Sequence, residues 1–444
     1  MSSAVQPSVR AAVNQTDERL ERAIGLPTLT ASIVNMTIGA GIFVLPAIVA
    51  ARLGAAAPLA YLVCAGLMGL IVACFAAAGS RVALTGGLYA YIEVAFGPFV
   101  GFLTGVLFWL MATFAVASVA TAFVGSIGAM MPALDGRVPR AIIVASVFAA
   151  LALVNVRGVR AGAHVIRIVT AAKLLPLVVL VLAGLWFVGG PALQWPGLPS
   201  IDALGNACLV LIFAFAGVEI ALVPTGEVIN ATKTVPRAVF LALACTTTFY
   251  LLLQIVAQAL LGASLVSYTA APLAEASARV LGNAGRSAIL LGAVVSMFGY
   301  LSGDMLSTPR VLYAFGRDGL LPEPFRRVHP SFRTPHVAIA VHAIIITTLA
   351  VSSSFTRLAI LANVAALTLY GTCVAAAVEL QRRDVRSDGA TPLRLPGGST
   401  IPVLAIAVIV WLLSHATRLE FAIEALVLGL AAVFYLIRRG GGQA

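Results

Sequence analysis

Charged side chains are scarce in this sequence. Only 10% of its 444 residues are Asp, Glu, Lys or Arg, whereas 61% are hydrophobic. The hydrophobic residues form segments near the ~20 residues that a bilayer crossing requires, and they are too numerous for one soluble core. The shortage of charge therefore excludes a soluble globular protein and predicts an all-α polytopic membrane protein.

Motifs for catalysis and metal binding are also missing. The sequence has no nucleotide-binding glycine loop, no HExxH zinc motif and no GxSxG nucleophile motif. Its five cysteines lie in apolar segments, without the spacing of a metal site or a disulfide framework. We therefore expect no enzyme activity, no metal site and no bound cofactor.

Twelve hydrophobic segments are predicted to cross the membrane, because each is close to the length that a bilayer requires. Their approximate limits are 29–51, 57–80, 98–128, 139–156, 163–189, 203–228, 237–262, 286–315, 335–353, 358–379, 401–415 and 420–437.

The distribution of Lys and Arg predicts the orientation of these spans. With the N-terminus in the cytoplasm, 20 of the 28 Lys and Arg residues fall on the cytoplasmic side and 7 outside, while Lys173 lies within a span. Because basic residues accumulate on the cytoplasmic side, we expect a multi-pass protein of the cytoplasmic (inner or plasma) membrane with both termini inside. The net charge of +11 then reflects orientation, and no nucleic-acid partner is expected.

Small residues interrupt two of the spans at matching positions. The first span reads VNMTIGAGIFVLP from Val34 to Pro46, and the sixth reads FAFAGVEIALVP from Phe213 to Pro224. Matched interruptions five spans apart indicate an inverted-repeat transporter, since an odd offset brings the second repeat in from the opposite side. Both breaks are then expected to face each other near the bilayer midplane.

This repeat divides the chain into four predicted parts. They are a cytoplasmic N-terminal tail (1–28), a first five-helix repeat (29–189), a second, inverted five-helix repeat (190–380), and a final part with a cytoplasmic loop, helices 11 and 12 and a short C-terminal tail (381–444).

The break in the first span predicts an anion site. Backbone N–H groups at the start of a half-helix have no intrahelical acceptor and carry the positive end of the helix dipole. We assign the amides of Ala40, Gly41 and Ile42 to a substrate carboxylate. The alternative is that the small residues only allow close helix packing.

The break in the sixth span predicts the complementary cation site. Free carbonyl groups at the end of a half-helix attract positive charge. We assign the carbonyls of Phe213, Ala214 and Ala216, together with Met36, to the ammonium group of the same substrate. A zwitterion would satisfy both helix ends.

Four stretches resemble the amino acid, polyamine and organocation (APC) transporter superfamily, and the resemblance covers residues from about 25 to 380. They are TIGAGIFVLPA (37–47), TGGLYAYIEVAFGPFVGFLTG (85–105), FAFAGVEIALVPTGEVINATKTVPRAV (213–239) and STPRVLYAFGRDGLLPEPF (307–325).

The resemblance implies a leucine-transporter-type fold, with five plus five inverted helices, broken helices 1 and 6 and two further spans. It also implies alternating access for amino acids or related amines. Substrate-contacting backbone is implied at Gly39, Ala40, Gly41, Phe213, Ala216 and Gly217. The aromatic ring of Phe213 would cap the substrate as a gate. Some relatives carry a serine where this chain has Ala40, so here the anion would rely on backbone groups alone.

Lys173 lies about ten residues into the fifth span, roughly 15 Å from its start at 1.5 Å per residue. Ionisable residues at such depth are costly and are functional by default. In sodium-coupled members of the fold a cation bridges the first, fifth and eighth spans, and Lys173 resembles its replacement. Because burial penalises a charged amine, we expect its proton to be exchanged during transport. The alternative is a permanently charged lysine that holds helices together.

Three further polar residues are candidates for coupling or gating. Glu219 follows the sixth-span break and is either a cap or a protonatable group. Asp304 lies beside a small-residue face of the eighth span that includes Ser296, and the spacing allows it to pair with Lys173 or with a cationic substrate. His342 is expected to be a hydrogen-bonded structural residue.

The sequence thus predicts a secondary active transporter that moves amino acids by alternating access, coupled to protons and independent of sodium. An amino acid or polyamine exchanger or exporter is one alternative, since Glu219 and Asp304 would suit a cationic substrate. A non-transporting amino-acid sensor is another. The expected partners are a small-molecule substrate and the lipid bilayer, while substrate identity and oligomeric state stay open at this point.

Overall fold

The structure is a computed structural model that describes residues 23–82, 87–157, 163–189, 197–219, 228–385, 392–393, 395 and 397–440. Regular structure within these ranges is helical, apart from one isolated bridge between Ile24 and Val228.

The α-helices of the described ranges are numbered here in chain order. They are α1 (Leu26–Thr37), α2 (Gly41–Leu53), α3 (Ala57–Arg81), α4 (Leu88–Phe96), α5 (Pro98–Met130), α6 (Arg137–Arg157), α7 (Ala163–Gly184), α8 (Ile201–Phe215), α9 (Ala231–Leu261), α10 (Pro272–Ser307), α11 (Pro309–Arg317), α12 (His336–Ser352), α13 (Phe355–Arg382), α14 (Thr400–Leu413) and α15 (Arg418–Gly440).

Seven stretches of the described residues are long and apolar enough to cross a membrane. They are Gly41–Arg81, Pro98–Met130, Arg137–Arg157, Lys233–Ser267, Pro272–Arg317, Phe355–Arg382 and Arg418–Arg438. Shorter apolar helices of 10–17 residues accompany them, among them α8, α12 and α14. The all-helical, multi-pass architecture expected from the composition is therefore present.

Both predicted interruptions are places where a helix ends. α1 ends at Thr37 and α2 begins at Gly41, so that residues 38–40 lie outside both helices. α8 ends at Phe215 and the chain turns at 216–217. The remainder of the predicted sixth span, 220–227, lies outside the described residues.

The predicted eighth span, 286–315, ends differently in the structure. α10 is kinked at Gly282, whose φ of 62° is not helical, so the part of α10 that runs unbroken to Ser307 begins just beyond Gly282, close to the predicted start. α11 then starts at Pro309. Proline lacks a backbone N–H, so it suits the first turn of a new helix and interrupts the hydrogen bonds of the preceding one. The span is therefore two helices joined at Thr308.

Close packing between α7 and α10 sets the position of Lys173. A Cβ atom on Gly292 of α10 would lie 2.5 Å from the carbonyl oxygen of Ala172 and 3.6 Å from the Cα of Lys173. Real Cβ atoms do not approach other atoms so closely, so glycine is required for this contact. One turn later on α10, Ser296 is buried as well.

The substitution Gly292→Ala tests this contact. The added methyl group would overlap the Ala172 carbonyl and push α7 and α10 apart, and overpacking of this kind costs about 1–3 kcal/mol. We expect a lower unfolding temperature for the purified protein in detergent. The matched control is Gly303→Ala on the same helix, where a Cβ meets no atom within 4 Å. That change should be neutral or stabilise by about 0.5–1 kcal/mol, and equal unfolding temperatures for the two variants would contradict the close approach.

Candidate functional site

The two helix interruptions lie against each other. A Cβ atom on Gly41 would lie 3.3 Å from the Cα of Ala214, and one on Gly217 would lie 3.2 Å from the carbonyl oxygen of Met36. Gly217 also has a φ of +107°, which side-chain-bearing residues rarely adopt. The breaks therefore face each other, as the sequence predicts, and Gly217 is the residue that permits their contact.

The start of α2 presents backbone N–H groups without partners. In the described part of the chain, the amides of Ala40, Gly41 and Ile42 donate to no acceptor, although all three residues are buried. The buried hydroxyl of Thr37 has no hydrogen-bond partner either. Buried donors are normally satisfied, so this group of donors at a helix N-terminus is suited to an anion.

Met36 and Gly39 flank this group of donors. The Met36 side chain is 43% exposed, while its carbonyl lies against Gly217. The amide of Gly39 donates to the Thr37 carbonyl at 2.8 Å, which tightens the turn between α1 and α2. Gly39 therefore shapes the turn and contributes no free amide.

The carbonyls at the end of α8 are only partly open. Within the described residues, those of Phe213 and Ala216 accept no hydrogen bond. The Ala214 carbonyl, which the sequence analysis takes as open, accepts one from the Tyr250 hydroxyl at 2.9 Å. Its assignment to an ammonium group alone is therefore corrected, because one of its two lone pairs is already used.

Lys173 binds the opposite side of the first interruption. Its Nζ donates to the carbonyl oxygens of Asn35 at 2.6 Å and Ile38 at 2.8 Å, and the residue is 6% exposed. These carbonyls lie at the C-terminal end of α1, where the helix dipole favours a cation. The ammonium group thus joins α7 to the end of α1.

Glu219 folds back onto the second interruption. Its two carboxylate oxygens accept from the Gly217 N–H at 3.1 and 3.0 Å, and the residue is buried. The Tyr370 hydroxyl lies close enough to this carboxylate for an electrostatic interaction, although it completes no hydrogen bond in this conformation. Glu219 therefore caps the Gly217 amide, which is one of the two roles considered from the sequence. Its carboxylate also lies close to the Tyr370 hydroxyl.

Asp304 does not pair with Lys173 in this structure. One carboxylate oxygen accepts from the Thr308 hydroxyl at 2.7 Å, and the other lies 2.9 Å from Nε2 of His342. Lys173 is bonded elsewhere, at the α1 carbonyls. His342 is hydrogen-bonded, as expected, but to a buried acid.

Phe213 is half-buried at the edge of the second interruption. Its ring meets the Phe355 ring at the start of α13 in an edge-to-face arrangement, with centroids 5.4 Å apart. Such a pair contributes about 0.5–1.5 kcal/mol beyond the area that it buries. The geometry suits a movable aromatic cover.

Comparison with known proteins identifies the family. Residues 24–424 match the family described as amino acid permease. The chain belongs to the amino acid permease family, within the APC superfamily. It is a transporter and a multi-pass membrane protein, and the family and its relatives are transporters and not enzymes.

Individual relatives of this permease cover most of its length. It is 31% identical over 335 residues to the serine/threonine exchanger SteT of Bacillus subtilis, across 73% of this chain and 75% of SteT. It is also 31% identical over 436 residues to proteins named as uncharacterized transporters of Mycobacterium bovis and Mycobacterium tuberculosis, across 95% of this chain and 92% of each.

Tyr250 is a residue of the permease site that the sequence analysis misses. Its hydroxyl lies 2.8 Å from the Thr37 carbonyl and 2.9 Å from the Ala214 carbonyl, and the residue is fully buried. A single hydroxyl proton is shared between the two carbonyls, so Tyr250 joins the ends of α1 and α8. Nothing in the apolar sequence of α9 marks it, because the signal is a contact between distant segments.

We expect Tyr250→Phe to loosen this junction. Removing the hydroxyl leaves the buried Ala214 carbonyl without this donor, which costs about 1–3 kcal/mol, and leaves the Thr37 carbonyl with the Gly39 amide as its donor. Both thermal stability and the apparent affinity for amino acid in uptake assays should fall. The control is Tyr61→Phe, which removes an equally buried hydroxyl bonded to Gln254 at 3.1 Å and leaves the Tyr250 hydroxyl in place. It should lower stability only, and a loss of affinity equal to that of Tyr250→Phe would contradict the assigned role.

Proposed function

We propose that this permease carries amino acids across the cytoplasmic membrane by alternating access, with the substrate bound between the two helix interruptions. The observation that carries the proposal is the set of buried, unpartnered amides at Ala40, Gly41 and Ile42, which lies opposite the open carbonyls of Phe213 and Ala216. An α-carboxylate and an α-ammonium group fit these two helix ends.

The proposed architecture has twelve spans, of which ten form two inverted repeats at 29–189 and 190–380, with both termini in the cytoplasm. Its support is the contact between the breaks through Gly41 and Gly217, since inverted repeats bring discontinuous helices together near the membrane midplane. The excess of basic residues on the predicted inner loops supports the orientation.

The proposed coupling ion is the proton, and the proposed carrier is Lys173. The assignment of Lys173 is supported by the hydrogen bonds that its ammonium group donates to two carbonyl oxygens at the end of α1. Loss of the proton would leave these carbonyls without a cation and alter the stability of the first break. A proton driven by about 100 mV gains about 2.3 kcal/mol, which corresponds to roughly fifty-fold accumulation of substrate.

Exchange of amino acids is the second candidate function. It is favoured by the similarity to SteT, which is named as a serine/threonine exchanger. In exchange, the empty carrier would not reorient, so uptake would require an amino acid inside the vesicle. Serine and threonine are therefore the first substrates to test in a labelled panel.

Lys173→Ala tests the coupling. Wild-type protein in proteoliposomes should take up labelled amino acid faster under an inward proton gradient and show no response to a sodium gradient. The variant should lose the response to protons, because it lacks the ammonium group that donates to the Asn35 and Ile38 carbonyls. The other lysine of the chain supplies the control, Lys233→Ala, whose side chain is exposed. Strict sodium dependence of the wild type, or full proton coupling in Lys173→Ala, would refute this coupling.

Phe213→Ala tests the gate. Loss of the aromatic pair with Phe355 should weaken the apparent substrate affinity by roughly two- to tenfold, which corresponds to about 0.5–1.5 kcal/mol. Phe108→Ala, at an exposed ring on α5, serves as the matched aromatic deletion. If concentration-dependent uptake were the same in the wild type and both variants, Phe213 would not be a gate.

A further inference from the structure

A buried acid and a buried imidazole face each other between α10 and α12. Oδ2 of Asp304 lies 2.9 Å from Nε2 of His342, and the two side chains are 5% and 0% exposed. The other Asp304 oxygen accepts from the Thr308 hydroxyl at 2.7 Å. Each carboxylate oxygen therefore has one hydrogen-bond donor, and the pair is enclosed by protein.

The imidazole has one nitrogen without a partner. When Nε2 carries a hydrogen and donates it to Asp304, Nδ1 carries the free lone pair. Nδ1 of His342 is buried and has no hydrogen-bond partner. The indole N–H of Trp109 on α5 is also buried without a partner, and its ring centroid lies 6.4 Å from that of His342. An unpartnered ring nitrogen thus lies in the same buried pair as a carboxyl group.

Few other charges act on this pair. α5 packs against both α10 and α12 and has no ionisable side chain between Pro98 and Met130. On α10 itself, Tyr300 interacts electrostatically with Asp304 and also with Glu219. α10 also carries Glu275, Arg279 and Arg286 near its start. The other ionisable side chains in the described parts of the elements that pack against α10 or α12 are Lys173, bonded at the first break, Arg52 on α2, Arg137, Arg140 and Arg157 at the ends of α6, Lys233, Arg237, Cys245 and Tyr250 on α9, Arg310, Tyr313 and Arg317 on α11, Glu323 and Arg326 in the short helix before α12, and His336 at the start of α12.

The charge balance of the pair favours a bound proton. With a neutral imidazole the pair carries one negative charge in a region of low dielectric, and a buried charge without an opposite partner is costly. One added proton makes the pair neutral overall, whether it resides on Nδ1 of His342 or on the carboxylate of Asp304.

We propose that Asp304 and His342 form a proton-binding site within the membrane, separate from Lys173. The proton binds reversibly at Nδ1 of His342, while Nε2–H continues to donate to Asp304. No further reactant is needed, since the proton comes from water and returns to it.

Binding at this pair would affect the junction between α10 and α11. Asp304 bonds Thr308 through its side chain, and its carbonyl accepts from the Thr308 amide at 2.9 Å, so the acid holds the residue that joins the two helices. The site would therefore make movement of α10 depend on pH, a role that rests on the proposed transport function.

Proton binding itself is tested without transport. A variant with Trp186, Trp195 and Trp411 changed to phenylalanine keeps Trp109 as the single tryptophan. A protonated imidazole quenches a neighbouring indole, so emission from the intact, detergent-purified protein should fall as the pH is lowered from about 8 to 5, where imidazoles titrate. Adding His342→Asn should abolish the change. Adding Asp304→Asn should alter the change, because the carboxyl group beside Nε2 of His342 is replaced by an amide.

A matched variant and a second measurement complete the test. His415→Asn removes a different membrane histidine, one that contacts Trp411, and should leave the Trp109 signal unchanged. If the tryptophan-substituted protein does not fold, histidine-labelled wild-type protein is titrated by NMR, with the His342 resonance identified by its loss in His342→Asn. A Trp109 emission or a His342 resonance that does not change over this pH range would overturn the proposal.

Failure of this inference can be distinguished from failure of the proposed function. Amino-acid counterflow at constant pH measures transport. Its absence in the wild type would refute the transport proposal, whereas proton binding would still be judged by the fluorescence or NMR titration. If counterflow is present, its pH profile should flatten in His342→Asn and not in His415→Asn. An unchanged profile in His342→Asn would refute the link between the pair and transport.

Discussion

Interrupting a helix inside a membrane leaves backbone N–H and C=O groups without partners, and each such group costs several kcal/mol in hydrocarbon. This constraint governs the interior of the permease. The two interruptions are enclosed and placed in contact, with Gly41 and Gly217 allowing the backbones to approach. Side chains from other helices then form hydrogen bonds with particular backbone groups at the breaks. The backbone group that each side chain binds explains its position.

At the two breaks, the backbone groups with hydrogen-bond partners and those without are not distributed evenly. Carbonyls at the end of α1 are bound by Lys173 and Tyr250, and one carbonyl of α8 is bound by Tyr250 as well. Glu219 takes the Gly217 amide. Within the described residues, the amides at the start of α2 donate to no acceptor. In the proposed binding mode, these donors receive the carboxylate of the substrate.

A second polar cluster lies away from the breaks, at Asp304 and His342. Buried charges require specific partners, and here the partners come from helices that are separated in sequence by the α11 segment. Because Asp304 also holds Thr308, a change at this cluster reaches the end of α10 directly. Helix α10 therefore touches polar groups along its length, with Gly292 packed beside Lys173 and Asp304 near its C-terminus.

The sequence by itself determined the membrane class, the helical architecture, both interruptions and the depth of Lys173, because hydrophobic length, helix-breaking residues and the cost of buried charge are local properties. Tertiary structure alone decided which groups pair. Tyr250 reaches two carbonyls across 36 and 213 positions of the chain, and His342 reaches Asp304 across 38. Spacing along one helix defines a face but not the helix that packs against it. For that reason the contact between the two interruptions was predictable, whereas the partners of Ala214 and Asp304 followed only from the packing of distant helices.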